Sequence, residues 1–251
     1  MVSRIAQRRE KYVSFAAMKK ISRLILRKGK DAAIRRKHPW VFSGAILRSE
    51  GRLEDGDIVH LTDVRDKVLA TGFFHDGKIT AQIFAFEEIV PDQAFWNAKI
   101  QRAYDLRASL GYIKTNSESR ALSGVEGQNS ETTAYRLVHG EGDGMPGLII
   151  DIYDGVAVMH AHSIGMHRER NSIVEALKAC YGAKLKAVYD GSRSSLPPAY
   201  AGDVRDEYLF GEATVPVTVK ENGHSFAVDW EQGQKTGFFL DQRDNRELLQ
   251  R

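Results

Sequence analysis

From Ser22 to Glu88 the chain is a series of short apolar runs cut by aspartate–glycine pairs, and this punctuation narrows the possible folds most. Asp57–Asp63 (DIVHLTD), Val68–Phe74 (VLATGFF) and Ile79–Phe86 (ITAQIFAF) each have strand length and an apolar alternation or run. Asp55-Gly56 and Asp76-Gly77 stand between them, and such pairs adopt the backbone angles of tight reversals at little cost. A further run, Ile21 to Leu26, mixes β-branched residues and leucine with basic ones. Strands so closely spaced predict a small β-barrel over residues 21–90 rather than an open α/β sheet.

The pattern changes at Asp92. Phe95, Ala98, Ile100, Ala103, Tyr104, Leu106 and Leu110 make one helical face, and Gly111 is placed to end it. Residues 114–133 are rich in Ser, Thr, Gly and Asn, so 91–134 reads as a linker helix followed by a mobile loop. A central α/β domain is expected over 135–212. Its strands are placed at 135–139, 147–153 and 155–162, followed by a helix from Met166 to Tyr181 and a strand at Leu185–Tyr189. Ser192–Gly202 reads as a Pro- and Ser-rich loop. Ala213–Val219 and His224–Trp230 flank Asn222-Gly223, a hairpin signal. Asp241 is placed to cap a last helix, which opens a further domain within 213–251. That helix has no C-cap, so the chain reads as truncated; Met18 reads as the natural start, with 1–20 a basic leader. The fold class expected is mixed α+β.

Charge is unevenly spread. Residues 1–50 hold 14 Lys and Arg against 3 Asp and Glu, whereas residues 51–251 hold 22 against 30. A basic front on an acidic body suits a polyanionic partner, with a solvated basic arm as the plainer reading. No apolar run approaches the ~18 residues of a membrane span, and the N-terminus lacks the plan of a secretory signal. A single cysteine, Cys180, excludes an intramolecular disulfide and suits a cytoplasmic protein.

Several motifs carry little. Gly140–Gly147 (GEGDGMPG) looks like a nucleotide loop, but a strand-like run follows it where a phosphate loop needs a helix. Gly51-Arg52-Leu53-Glu54 has a glutamate where a pseudouridine synthase needs its nucleophilic aspartate. Cys180 reads as a core residue, His160 and His162 as partly exposed strand residues, and His60, His160, His162 and His167 show no metal-ligand spacing.

Two segments rise above these. In Lys28–Gly44, Lys30, Arg35, Arg36 and Lys37 can hold phosphates while His38 and Trp40 offer planar faces to bases, which is what unpaired RNA requires. The plainer reading is that Trp40, Val41 and Phe42 are barrel core. In Gly233–Asn245, a glycine-bounded loop with two phenylalanines runs into a helix N-terminus, a setting for an anionic or planar ligand or else a hinge.

At HPWVFSGAI (38–46), YRLVHGEGDGMPGLIIDIY (135–153), YDGSRSSLPP (189–198) and GQKTGFFLDQRDNR (233–246) the chain resembles the bacterial large-subunit ribosomal RNA cytosine-5 methyltransferases that carry a PUA domain. The resemblance implies a PUA-like RNA-binding barrel, a central α/β domain and a Rossmann-like catalytic domain that uses S-adenosylmethionine. It implies a cysteine nucleophile after Arg251, with Cys180 not in its place, so this chain alone is expected to be inactive. It implies ribosomal RNA as partner, no metal, and Thr236, Phe238, Phe239, Gln242 and Arg243 as cofactor or base contacts. Oligomeric state stays open, with a homodimer one candidate. The rival expectation is a stand-alone RNA-binding protein without catalysis.

Overall fold

The structure, a computed structural model, describes residues 21–113 and 132–249. The leader with Met18, almost all of the expected mobile loop at 114–133, and the last two residues lie outside the described residues.

Six strands come first: β1 (Ser22–Leu26), β2 (Trp40–Phe42), β3 (Ile46–Glu50), β4 (Ile58–Thr62), β5 (Val68–Phe74) and β6 (Ile79–Ala85). A one-turn helix, α1 (Ala32–Arg35), separates the first two. The strands pair in the order β2-β6-β5-β4-β1-β3, and β1 with β4 is the one parallel pair among them. β2 and β3 therefore hold opposite edges of the sheet, yet only Ser43–Ala45 separate them in sequence. Laid flat, those edges would stand roughly 24 Å apart at ~4.8 Å per strand spacing. A link of three residues reaches about 14 Å at most. The sheet must curl, and the expected barrel is the result. Leu24, Leu26, Val41, Val59, Leu61, Ala70, Ala81 and Ile83 fill it, with Ile34 of α1 packed among them.

The second sheet is built from β7 (Ala134–His139), β8 (Leu148–Tyr153), β9 (Val156–Ala161), β10 (Ala187–Asp190) and β11 (Glu207–Phe210), in the order β11-β10-β9-β8-β7. β9 and β10 run parallel and the other pairs antiparallel. Helices α2 (Gln93–Ser109), α3 (Ile164–Arg168) and α4 (Arg170–Tyr181) belong to the same unit. Asp92 caps α2 by accepting the Phe95 amide at 2.8 Å, and Gly111, at φ 81°, takes the left-handed turn that ends it. Trp96, Ile100, Ile173 and Leu177 from α2 and α4 pack with Leu137, Ile150 and Met159 of the sheet. Phe73 and Phe84 of the barrel join the same cluster, so the two units share one core. A hairpin, β12 (Val217–Glu221) and β13 (His224–Val228), turns at Asn222 and Gly223 with φ of 50° and 85°, as Asn-Gly reversals require. Its Val219 and Val228, with Trp230, cluster with Tyr153, Val158 and Tyr189 of the second sheet.

Four local expectations need correction. The helix expected over Met166–Tyr181 is two helices broken at Glu169, whose carboxylate accepts the Trp96 indole N–H at 2.8 Å instead of facing solvent. β11 follows the Pro- and Ser-rich loop where no strand was expected, because pairing with β10 rather than local pattern creates it. Asp241 does not cap the last helix, α5 (Arg243–Leu248): Gln242 occupies that position without a side-chain bond. His160 is buried at 9% exposure and only His162 is open to solvent.

Candidate functional site

α1 is too short to be stable on its own, and its end is closed by a pair of backbone bonds. Lys37 N–H donates to the Ile34 carbonyl at 2.8 Å and His38 N–H to the Ala33 carbonyl at 3.0 Å, a Schellman closure. The position that closure makes left-handed is usually glycine; here it is Lys37, at φ 63°. The turn throws Arg35, Arg36, Lys37 and His38 outward, all exposed. Asp31 beside them is paired with Arg35 at 2.6 Å, and this contact holds its carboxyl below the usual carboxylate range.

Four neighbours of these cations are revealed only by the fold. Arg35 and Lys37 line a cavity of about 360 Å³ together with Lys67, Phe86, Ile34, Val68 and Leu69. The Lys37 ammonium lies 4.8 Å from the centre of the Phe86 ring, a cation–π distance. A concave surface with three cations and an aromatic wall can hold a phosphate and a planar base together. Lys67 and Phe86 were not singled out in sequence, since they lie about thirty to fifty positions from α1 and join it only when β5 and β6 pair.

Trp40 is 36% exposed and Phe42 50% exposed, while Val41 between them is 4% exposed. The reading of all three as core is therefore right for Val41 alone. The Trp40 indole N–H donates to Glu141 Oε1 at 2.8 Å, and the His38 ring meets the indole edge-on, at 79°. Lys30 is also exposed, in the turn where its N–H bonds the Arg27 carbonyl at 3.0 Å. Glu141 belongs to the Gly140–Asp143 turn between β7 and β8, the nucleotide-loop lookalike. That turn is a structural joint: Asp143 pairs with Arg107 and accepts the His139 amide at 2.6 Å. Lys99 donates to the Gly144 and Phe84 carbonyls at 3.0 and 2.7 Å, and burial lowers its pKa.

The 233–245 segment is held from below by Asp151, which is fully buried on β8. Arg136, opposite it on β7, binds both its carboxylate oxygens at 2.8 and 2.9 Å, and this contact raises the Arg136 pKa. Thr236 donates its hydroxyl to Asp151 at 2.6 Å and sits 2.9 Å from the Tyr153 hydroxyl. Gly233 and Gly237 let the loop fold onto itself: a Cβ at either would lie 2.1 or 2.7 Å from the Asp229 carbonyl oxygen. Phe238 packs with Phe226 under Arg246. Arg243 is bound to the buried Glu221 and to the Ala134 carbonyl, at 3.3 and 2.8 Å. Thr236, Phe238 and Arg243 thus shape the segment, while Phe239, with Lys235 4.5 Å from its ring centre, and Gln242 keep surface for a ligand.

Residues 24–86 match the family model described as a PUA-like domain. Over 229 residues the chain is 34% identical to ribosomal RNA large subunit methyltransferase I of Yersinia pseudotuberculosis, covering 89% of this chain and 53% of that protein. The protein of the same name from Yersinia pestis matches to the same extent. Over this span the chain is similar to proteins named as large-subunit ribosomal RNA methyltransferases. It spans about half the length of these curated relatives. Among solved structures, a protein from Streptococcus mutans assigned as a SAM-dependent methyltransferase superposes with a TM-score of 0.69 at 22% identity, over 90% of this chain and 53% of its own. A second, SMU.776, solved with SAH bound, gives 0.68 with the same identity and coverage. Both confirm the mixed α+β fold.

Cys180 is half-buried against the shared core, and burial pushes its thiol up to about 11, away from the thiolate a nucleophile needs. Among the described residues no group of three or more His, Cys, Asp or Glu is placed to hold a metal ion, and no helix is long and apolar enough to cross a membrane.

Proposed function

We propose that this chain is the RNA-gripping part of an S-adenosylmethionine-dependent methyltransferase acting on cytosine C5 of large-subunit ribosomal RNA in the cytoplasm. The observation that carries the reading is the convergence of Arg35, Lys37, Lys67 and the Phe86 ring on one cavity of the PUA-like barrel, with the exposed Trp40 three positions after Lys37 in the chain. Lys30, Arg36 and His38 extend the same basic and aromatic surface. Cations there neutralise phosphates and set affinity, while the rings take bases.

In this reading S-adenosylmethionine supplies the methyl group, and Phe239 and Gln242 are the members of the 233–245 segment with surface to touch it or the target base. Thr236, Phe238 and Arg243 act by holding that segment in shape. The chain's one cysteine is not the nucleophile, so the chain binds RNA and does not by itself transfer methyl groups. Assembly as a homodimer is compatible with this division of labour.

The test is RNA affinity across a salt series for the 251-residue chain and for Arg35→Ala/Arg36→Ala. Each lost phosphate contact should lower the slope of log affinity against log salt by about one. An unchanged slope in the double variant would reject the barrel as the gripping surface. Methyl transfer to ribosomal RNA by the pure chain would reject the division of labour.

A further inference from the structure

β2 is an edge strand, paired with β6 alone, and it carries two large exposed rings. Edge strands are normally kept short, charged or covered, since exposed apolar groups beside unpaired backbone invite aggregation. Two outward aromatics in a three-residue strand need a use. The ladder is also irregular there: Val41 pairs with Ala81 and Phe42 with Ile79, so Thr80 is skipped and the end of β2 is re-aimed.

Both ends of the strand are basic. Arg36 and Lys37 precede it. Beyond it, Ser43 N–H donates to the Lys78 carbonyl at 2.9 Å, placing the exposed Lys78 next to Phe42. Arg27 N–H donates to the Ala45 carbonyl at 2.8 Å, which brings the turn carrying Lys28 and Lys30 to the same end. Residues two apart on a strand stand about 6.6 Å apart, a step that successive bases of an extended single strand can follow. Trp40 is oriented in advance, since Glu141 holds its N–H and the His38 ring stands nearly perpendicular to the indole rather than stacked on it.

We propose that Trp40 and Phe42 form a two-ring platform on which two consecutive unpaired bases of single-stranded RNA stack, between cations at either end of β2. The inference rests on the RNA-binding reading and adds to it a strand path, a second ring and a preference for unpaired RNA. Stacking accepts any base, because each has a π face, so the platform selects for strandedness rather than sequence.

The test uses the full chain with a short single-stranded RNA and its fully paired duplex. Of the chain's 3 tryptophans, Trp96 and Trp230 are buried at 0% and 4% exposure, so quenching by a stacked base reports Trp40. Single-stranded RNA should quench the emission, and abasic RNA of the same charge should not. Phe42→Ala should weaken single-strand binding roughly tenfold with duplex affinity unchanged, and Phe42→Tyr should restore it. Phe42 is exposed, so truncating it leaves the barrel core intact.

A Phe42→Ala chain that binds single strands as tightly as the parent, while Arg35→Ala/Arg36→Ala binds them more weakly, overturns the platform and leaves the RNA-binding reading standing. Equal losses on single strand and duplex, or quenching by abasic RNA, overturn it too. A parent chain that binds neither RNA overturns the reading on which it rests.

Discussion

Glu141 accepts the indole hydrogen of Trp40 at 2.8 Å across 101 positions of sequence, so the barrel's exposed ring is held by an acid from the second unit. The contact orients the ring, and it also sets a negative charge where phosphates would approach. Glu141→Gln keeps an acceptor and removes the charge. The variant should bind RNA about two- to fivefold more tightly, the size of one surface charge interaction. Fluorescence anisotropy at low salt measures it, and the gain should shrink as salt rises.

Lys67 belongs to the phosphate-binding surface if its place in the cavity with Arg35 and Lys37 has the use proposed. Lys67→Ala should then lower the salt slope of RNA binding by about one and weaken affinity alike for all sequences. A slope equal to the parent's would remove Lys67 from the site.

Asp151 supports the 233–245 segment from a fully buried position. Thr236→Val removes one of the two donors to an Asp151 oxygen and the side-chain partner of the Tyr153 hydroxyl, and losing a hydrogen bond to a buried charge should cost about 1–3 kcal/mol. Asp151→Ala strands Arg136 as well and should cost about 3 kcal/mol or more. Urea unfolding gives both values. A Thr236→Val chain as stable as the parent would show that the hydroxyl does not anchor the loop.

His160 is buried on β9, with Ser195 Oγ 3.5 Å from its Nδ1. Burial and the nearby His162 lower its pKa from 6.5, against the opposing pull of Asp190, Asp151 and Asp206. The unfolded chain therefore takes up this proton at higher pH than the folded chain does. The stability it contributes is complete above 6.5 and is lost as pH falls from there toward the lowered value. Melting temperature should drop as pH falls below 6.5, and His160→Asn should flatten that part of the profile. An identical profile in the variant would place the acid sensitivity elsewhere.

Several elements were legible in the sequence because the physics that decides them is local, although the Asp241 cap, read on the same grounds, did not form. Asp-Gly and Asn-Gly pairs marked reversals, alternation marked strands, and Asp92 and Gly111 marked the ends of α2, because each depends on the backbone preferences of adjacent residues. The basic run at 35–37 and the ring at Trp40 were legible for the same reason.

What tertiary structure decided is where distant residues meet. Nothing near Trp40 in sequence says that Val41 turns inward while Phe42 stays in solvent, since facing depends on how β2 pairs with β6. Lys67 and Phe86 join Arg35 only after the sheet curls, and Thr236 changes from a candidate ligand contact to a buried anchor only once Asp151 lies beneath it. Local propensity can specify an element. Burial and partnership depend on which elements pack together, and that is a property of the whole chain.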